Sequence, residues 1–141
     1  MKRKASAVWQ GDLKSGRGTI STDSGVLNST KYSFTTRFEN GVGTNPEELI
    51  AAAHAGCFAM AFWAELSKAG ITPESISATA TVTLEKTDAG WTVTTSHLDV
   101  TARIPGADRS KVLGVANVAK LGCPISRLLK ANVTMDARLE G

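Results

Sequence analysis

The chain has 141 residues, of which 42% are hydrophobic and 21% are charged, and its formal net charge is +3. These values are those of one ordinary globular domain, so we predict a single domain over residues 1–141. The 16 basic residues are scattered except for Lys2-Arg3-Lys4 at the terminus, which argues against a nucleic-acid-binding surface.

The start of the chain lacks the apolar segment of a signal peptide, because basic residues at Lys2 to Lys4 run directly into a mixed sequence. The most apolar stretch, Leu49 to Ala64, has 16 residues, fewer than the roughly 20 that span a bilayer. We therefore expect a soluble, cytoplasmic protein without a membrane partner. In that compartment two cysteines are expected to be redox-active rather than a structural disulfide.

The first third of the chain contains short runs of β-branched and aromatic residues between turns. Three of these runs are predicted as strands: Ala5 to Leu13, Thr19 to Thr22 and Tyr32 to Arg37. Turn residues at Ser15 to Gly18 and at Asp23 to Gly25 separate them. We predict a three-stranded antiparallel meander.

A long helix follows, with a start signal and a stop signal. Asn45 can cap its first turn, Pro46 suits its first position, and Glu48 stands three residues beyond the cap. Gly70 is typical of a residue just after a helix. We predict a helix of about 24 residues from Pro46 to Ala69.

This helix is apolar on almost every face from Leu49 to Ala64, so it needs cover all round. One small sheet covers one side only. A second copy of the chain would cover the other side, and Gly56 would let two such helices approach closely. We predict an intertwined homodimer; the alternative is a helix enclosed within one chain.

The rest of the chain combines strands with a second helix. Ala78 to Glu85 and Trp91 to Ile104 are predicted strands, and a change of phase between Thr94 and Ser96 indicates a β-bulge. The last predicted strand is Asn132 to Glu140. The second helix shows a stripe of small apolar residues: Val112, Val115, Ala116, Ala119 and Cys123. The predicted fold class is α+β in the order β-β-β-α-β-β-α-β, with antiparallel sheets around a long buried helix.

The two cysteines lie in different surroundings. Cys57 is in the middle of the long helix, and Cys123 directly precedes Pro124 at the predicted cap of a short helical stretch. Burial raises the pKa of a thiol, so a nucleophilic Cys57 needs a nearby cation. Arg37 is the leading candidate because a guanidinium stays charged where water is scarce, and Glu47 is its natural partner.

Composition and spacing alone favour two inert buried thiols, but the same residues can also be combined in a peroxidase mechanism. Glu47 orients Arg37, and Arg37 stabilises the Cys57 thiolate, which attacks a peroxide and becomes a sulfenic acid. Cys123 then condenses with the sulfenic acid to form a disulfide that a dithiol reopens. Glu47 precedes Cys57 by ten positions, about 15 Å along the helix, so we expect Arg37 and Glu47 to act across the dimer.

Other residues allow alternative interpretations. His54, one turn before Cys57, is either a general base or a hydrogen-bonded core residue. Arg17, in a glycine-rich turn, is a rival to Arg37. The segment Cys123 to Ser126 resembles half of a Cys-x-x-Cys motif, but no βαβ pattern surrounds it. Two histidines and two cysteines lack the ligand spacing of zinc or iron sites, so neither a metal nor a cofactor is expected, and His97 is predicted at the surface.

Several segments together resemble the osmotically inducible protein C and organic hydroperoxide resistance (OsmC/Ohr) family. They are Arg37-Phe38-Glu39, the run Gly43 to Leu49, the run Ala53 to Phe58, and Cys123-Pro124. The resemblance implies an intertwined homodimer with active sites at the interface, which reduces organic hydroperoxides and, less well, hydrogen peroxide. It makes Cys57 the peroxidatic cysteine, Cys123 the resolving cysteine, and Arg37 and Glu47 the activating pair.

The position of the arginine favours the osmotically inducible branch of this family, and the resemblance suggests a lipoyl-type dithiol as reductant. Two other functions stay open. A dimeric module that binds an apolar ligand would have thiols indifferent to peroxide. A redox sensor would be oxidised once, without sustained turnover.

Overall fold

The computed structural model describes residues 1–141 as two units, Met1–Leu49 and Ile50–Gly141. The long central helix begins in the first unit and continues through the second. The prediction of one domain over residues 1–141 stays a prediction.

A three-stranded antiparallel sheet forms most of the first unit. Its strands are β1 (Ala5–Gln10), β2 (Arg17–Thr22) and β3 (Thr30–Tyr32), in the order β1-β2-β3. The predicted meander is therefore confirmed. The rings of Trp9 and Tyr32 lie 5.6 Å apart across β2. Gly18 makes this contact possible, since a Cβ there would lie 2.4 Å from the Tyr32 ring.

The predicted strand from Tyr32 to Arg37 is wrong beyond its first residue, because the chain turns into helix α1 (Phe34–Phe38). Ser33 caps this helix: its hydroxyl accepts from the Thr36 N–H, and the Thr36 hydroxyl accepts from the Ser33 N–H. This reciprocal capping box outweighs the strand preference of the phenylalanine and threonine side chains. It also moves Arg37 from a strand to the last turn of a helix.

The long helix, α2, spans Pro46–Lys68 and has 23 residues, which confirms the prediction to within one residue. The Asn45 side chain caps it by accepting from the Glu48 N–H at 2.7 Å. Gly70 follows the end of the helix with a φ of 75°, which favours glycine. By length and composition alone α2 could cross a membrane, but core helices of soluble proteins pass the same test.

The second unit is built on a sheet of strands β4 (Ser75–Thr87), β5 (Gly90–Arg103) and β6 (Asn132–Glu140), in the order β4-β5-β6. β4 and β5 pair antiparallel, as expected, but β6 runs parallel to β5, so the expectation of antiparallel sheets does not hold there. The physical reason is the crossover through helices α3 (Arg109–Gly122) and α4 (Pro124–Leu128). It returns the chain to the end of the sheet at which β5 begins, so that β6 runs in the same direction as β5.

The bulge predicted between Thr94 and Ser96 is present. Thr83 pairs with Thr95 and Leu84 pairs with Val93, so Thr94 is the extra residue of β5. Beyond the bulge the inward face of β5 is buried and, after Ser96, apolar. It packs on one face of α2 and on α3, and the buried apolar residues are Phe58, Phe62, Leu66, Leu98, Val100, Ala102, Ile104, Val112, Ala116, Ala119 and Cys123.

The opposite face of α2 is apolar and exposed. Met60 is 77% exposed and Trp63 is 40% exposed, and small residues continue the face at Ala53 and Gly56. A Cβ built on Gly56 would have no atom within 4 Å. One sheet thus covers one side of the long helix, as the sequence predicted.

Candidate active site

The two thiols lie side by side in the second unit. Helix α2 presents Cys57 from its middle, and Cys123 stands at the junction where α3 ends and α4 begins. Their sulfur atoms are 3.1 Å apart, and both cysteines are free thiols. Cys123 is fully buried and Cys57 is half-buried. The structure therefore brings together two residues that are 66 positions apart in the chain.

Pro124 helps to place the second sulfur. It occupies the first position of α4, which ends α3 and leaves Cys123 as the cap residue of the short helix. The Cys123 N–H still donates to the Ala119 carbonyl at 2.8 Å, so the residue stays attached to the last turn of α3. The cap position predicted for Cys123 is confirmed.

Burial raises the pKa of the Cys57 thiol. Cys123 raises this pKa further, through its hydrogen bond with Cys57 and through the repulsion between two thiolates so close together. The backbone N–H of Ile125, in the first turn of α4, donates to the Cys57 sulfur and acts in the opposite direction. The net result is a raised pKa. A Cys57 thiolate at neutral pH therefore needs a further positive charge.

Arg37 and Glu47 form an ion pair in the first unit. Arg37 Nε and Nη2 both donate to Glu47 Oε1, at 3.0 and 2.8 Å. Glu47 is 9% exposed, and the other oxygen of its carboxylate, Oε2, is buried without a hydrogen-bond partner. The Asn45 side-chain amide donates to the Thr36 carbonyl at 2.7 Å and so ties α1 to the start of α2. Two helix ends thus hold the guanidinium in place.

An aromatic cleft lies beside this guanidinium. It has a volume of about 160 Å³ and is lined by Trp9, Leu13, Tyr32, Ser33, Phe34, Arg37 and Phe38. The Arg37 guanidinium also lies 5.5 Å from the centre of the Phe38 ring. Arg17 lines a different cleft, with Lys31 and Thr19, and the arginine that Glu47 binds is Arg37.

His54 is fully buried on the same face of α2 as Phe58. Its Nδ1 lies 2.7 Å from the Ser96 hydroxyl, and its Nε2 lies 2.8 Å from the Ser126 hydroxyl. Burial lowers the pKa of His54, which favours the neutral imidazole. Both ring nitrogens are thus occupied by hydrogen bonds, as the core interpretation of this residue requires.

Three groups beside the thiols and His54 are not predictable from the motifs: Ser96, Ser126 and the backbone N–H of Ile125. Ser96 had a signal, because it is a polar residue on the buried face of β5, in phase with Leu98 and Val100. Ser126 had none, since its partner His54 is 72 positions away.

The outer face of the second sheet brings together His97, Asp99 and Asp136. Their ligand atoms lie within 4.8 Å of one another and could in principle hold a metal ion. His97 Nε2 lies 3.5 Å from Asp99 and 3.2 Å from Asp136, and the Asp136 side chain is 71% exposed. These distances are those of a surface ion-pair group. Spacing along the chain could not reveal it, because the parallel pairing of β5 with β6 aligns the two aspartates.

Comparison with known proteins shows relatives along nearly the whole chain. A family model described as OsmC-like protein matches residues 38–138. The chain is 52% identical to the peroxiredoxin OsmC of Escherichia coli (strain K12) over 138 residues, which cover 98% of this chain and 96% of that protein. It is 30% identical to the organic hydroperoxide resistance protein OhrB of Bacillus subtilis (strain 168) over 124 residues, 87% of this chain and 88% of that protein.

Solved structures agree with these matches. The crystal structure of Bacillus subtilis OhrB superposes with a TM-score of 0.68 at 25% identity and covers 97% of this chain and 98% of its own. An OsmC-like protein from Mycoplasma pneumoniae reaches a TM-score of 0.77 over 100% of this chain and 99% of its own. Its identity of 14% limits that likeness to the fold.

Proposed function

The chain belongs to the OsmC-like protein family, and we propose on this basis that it is a thiol peroxidase that reduces organic hydroperoxides and, less well, hydrogen peroxide. The observation that carries the proposal is the distance of 3.1 Å between the Cys57 and Cys123 sulfurs. Two free thiols at this distance can join in a disulfide with little movement of the backbone. The names of the relatives, a peroxiredoxin and an organic hydroperoxide resistance protein, support the same reaction.

The proposed chemistry has three steps. The Cys57 thiolate attacks the outer oxygen of the hydroperoxide, the O–O bond breaks, and the alkoxide takes a proton and leaves as an alcohol. Cys57 is then a sulfenic acid. The Cys123 sulfur attacks it, the S–O bond breaks, and water leaves as the disulfide forms. A dithiol, for which we propose a lipoyl-type compound, reduces the disulfide to two thiols.

Arg37, oriented by Glu47, supplies the positive charge that Cys57 needs. The Arg37 guanidinium stays charged at any ordinary pH, and the nearly buried Glu47 carboxylate fixes its orientation through two hydrogen bonds. We place this pair against Cys57 of a second copy of the chain. Ten residues of α2 separate Glu47 from Cys57, about 15 Å of helix, which makes action on the same chain's thiol difficult.

The second copy would cover the exposed apolar face of α2. Met60 and Trp63 are large apolar side chains on that face, and Gly56 has open space above it where another helix can approach. A soluble protein gains free energy by burying such a surface. A homodimer built on α2 therefore accounts both for the face and for the distance between Glu47 and Cys57.

The aromatic cleft beside Arg37 fits the organic part of the substrate. An alkyl or aryl group would gain free energy by leaving water for a cleft lined with Trp9, Phe34 and Phe38. Hydrogen peroxide has no such group and would gain nothing there. We propose a cytoplasmic location, the compartment in which two cysteines are expected to be redox-active rather than a structural disulfide.

Peroxide consumption by the purified protein tests the proposed function. With cumene hydroperoxide and a dithiol, we expect sustained turnover for the wild type and none for Cys57→Ser. Without the dithiol, Cys123→Ser should react once and stop at the sulfenic acid; with it, further turnover should require direct reduction of the sulfenic acid by the dithiol. A wild type whose thiols do not react with the peroxide would overturn the proposal and favour a binding module. Oxidation that stops after one turnover with excess dithiol would favour a redox sensor.

A subunit-mixing experiment tests the arrangement across the dimer. Arg37→Ala and Cys57→Ser are each expected to be inactive alone. When they are refolded together in equal amounts, about one quarter of the wild-type activity should return, because half of the dimers are mixed and each has one intact site of two. No recovery in a confirmed mixture of dimers would show that Arg37 serves the thiol of its own chain.

A further inference from the structure

Helix α4 carries little of the burial that usually fixes a helix in place. It has five residues, none of them fully buried, although it begins directly after Cys123. Ile125 is partly buried and packs against the core. A short helix with so few apolar contacts is expected to move away from the core easily. The N–H of Cys123 is held by α3, but its carbonyl accepts from the Arg127 N–H of α4 at 3.0 Å, so movement of α4 would shift Cys123 unless another contact restrains that helix.

The bond between His54 and Ser126 provides such a contact. Ser126 lies three residues after Cys123, and its hydroxyl is 2.8 Å from His54 Nε2. His54 lies one turn before Cys57 on α2, so the imidazole joins the helix that holds one thiol to the helix that follows the other. The second ring nitrogen is 2.7 Å from the Ser96 hydroxyl of β5, which fixes the ring from the opposite side.

The hydrogen bonds of the His54 imidazole suit a role in holding α4 better than the role of a general base. A neutral histidine has one donor and one acceptor nitrogen, and two hydroxyl groups use both. Neither nitrogen is left to take a proton from Cys57. The His54 ring is fully buried and the Ser126 hydroxyl is half-buried, so a ring nitrogen that loses Ser126 cannot easily replace it with water, which makes the bond to α4 costly to break.

We propose that His54 is a positioning residue that keeps Cys123 within reach of Cys57 by holding α4 through Ser126. This inference rests on the proposed function for its consequence in catalysis. Once Cys57 is a sulfenic acid, attack by Cys123 releases water and gives the disulfide, whereas attack on a second hydroperoxide releases an alcohol and gives a sulfinic acid. A restrained Cys123 favours the first outcome.

The first test measures the disulfide without any peroxide. Reduced protein is equilibrated with mixtures of reduced and oxidised dithiothreitol, and the ratio gives the effective concentration of Cys123 at Cys57. In Ser126→Ala this value should fall about fivefold, the equivalent of about 1 kcal/mol at 1.4 kcal/mol per tenfold change. Ser96→Ala is the matched control, since it removes the other hydroxyl from the same ring; its value should stay within about twofold of the wild type.

Ser126→Thr should restore the wild-type value, because it keeps the hydroxyl. The serine variants are preferred to His54→Ala, which would remove both hydrogen bonds at once and leave the buried Ser96 hydroxyl unpaired. If the effective concentration fell equally in Ser126→Ala and Ser96→Ala, the ring would have only a general structural role, and the inference would be overturned. An unchanged value in Ser126→Ala would also overturn it.

The second test uses excess cumene hydroperoxide and mass spectrometry of Cys57. Ser126→Ala should consume the first equivalent at the wild-type rate but accumulate about five times more sulfinic acid, and Ser96→Ala should not. Equal sulfinic acid in the two variants would overturn the inference. If no variant reacts with peroxide while the dithiothreitol values differ as expected, the proposed function has failed and the positioning role of His54 stands.

Discussion

Met60 offers the sharpest test of the proposed dimer. Its side chain is 77% exposed in the single chain and lies on the apolar face of α2. Burial of a methionine side chain contributes about 1.5–3 kcal/mol, and two-fold symmetry would bury two copies, for about 3–6 kcal/mol. Met60→Lys removes this contribution and places two charges in the interface. At 1.4 kcal/mol per tenfold change, the dimer dissociation constant should rise by a factor of about 10²–10⁴.

Sedimentation velocity over a range of protein concentrations measures this constant. Leu121→Lys is the matched control: Leu121 is 73% exposed but lies on α3 instead of α2, so the control should leave the dimer unchanged. Peroxidase activity of Met60→Lys should fall on dilution in step with the dimer fraction, because the proposed dimer takes the activating Arg37 from the other copy. A fully monomeric wild type, or a Met60→Lys protein that dimerises like the wild type, would refute the reasoning.

Three further predictions concern single residues. Arg37→Lys keeps the positive charge but loses the paired N–H donors that bind Glu47. The rate of Cys57 oxidation, followed by stopped-flow fluorescence, should fall about 10- to 100-fold. A wild-type rate would contradict the activating role of Arg37. Phe58→Ala empties a fully buried site and should lower the free energy of unfolding in urea by about 3–5 kcal/mol, and a loss below about 1 kcal/mol would contradict the described core. Burial lowers the pKa of His54 in the folded chain, so below pH 6.5 the unfolded chain takes up a proton more readily than the folded chain does. The contribution of neutral His54 to the free energy of unfolding is therefore fully present above pH 6.5. It is lost as the pH falls through the folded pKa. Urea unfolding of His54→Gln should therefore depend less on pH in this range than that of the wild type, and an equal dependence would contradict the assignment.

Local signals predicted the parts of the fold that depend on neighbours in the chain. The Asn45 cap and Gly70 gave the ends of α2 to within one residue, and the change of phase in β5 located the bulge at Thr94. The strand predicted through Arg37 failed because a capping box between Ser33 and Thr36 competes with strand propensity over only a few residues.

Contacts between segments far apart in the chain could not be predicted from the sequence. The pairing of His54 with Ser126 depends on how α4 packs, and the parallel course of β6 depends on the crossover through α3. The family resemblance pointed to Cys57 and Cys123, and the structure places their sulfurs 3.1 Å apart. Residue spacing alone could not give that distance, since 66 positions separate the two cysteines.

The most direct test of the central claim is a single-turnover titration of the reduced protein. One equivalent of cumene hydroperoxide is added without reductant, and free thiols, cumyl alcohol and the intact mass are measured together. The account predicts the loss of two thiols per chain, one equivalent of alcohol, a mass lower by two hydrogen atoms, and a disulfide that joins the peptides of Cys57 and Cys123. Two thiols that remain free while the hydroperoxide persists would contradict the peroxidase assignment.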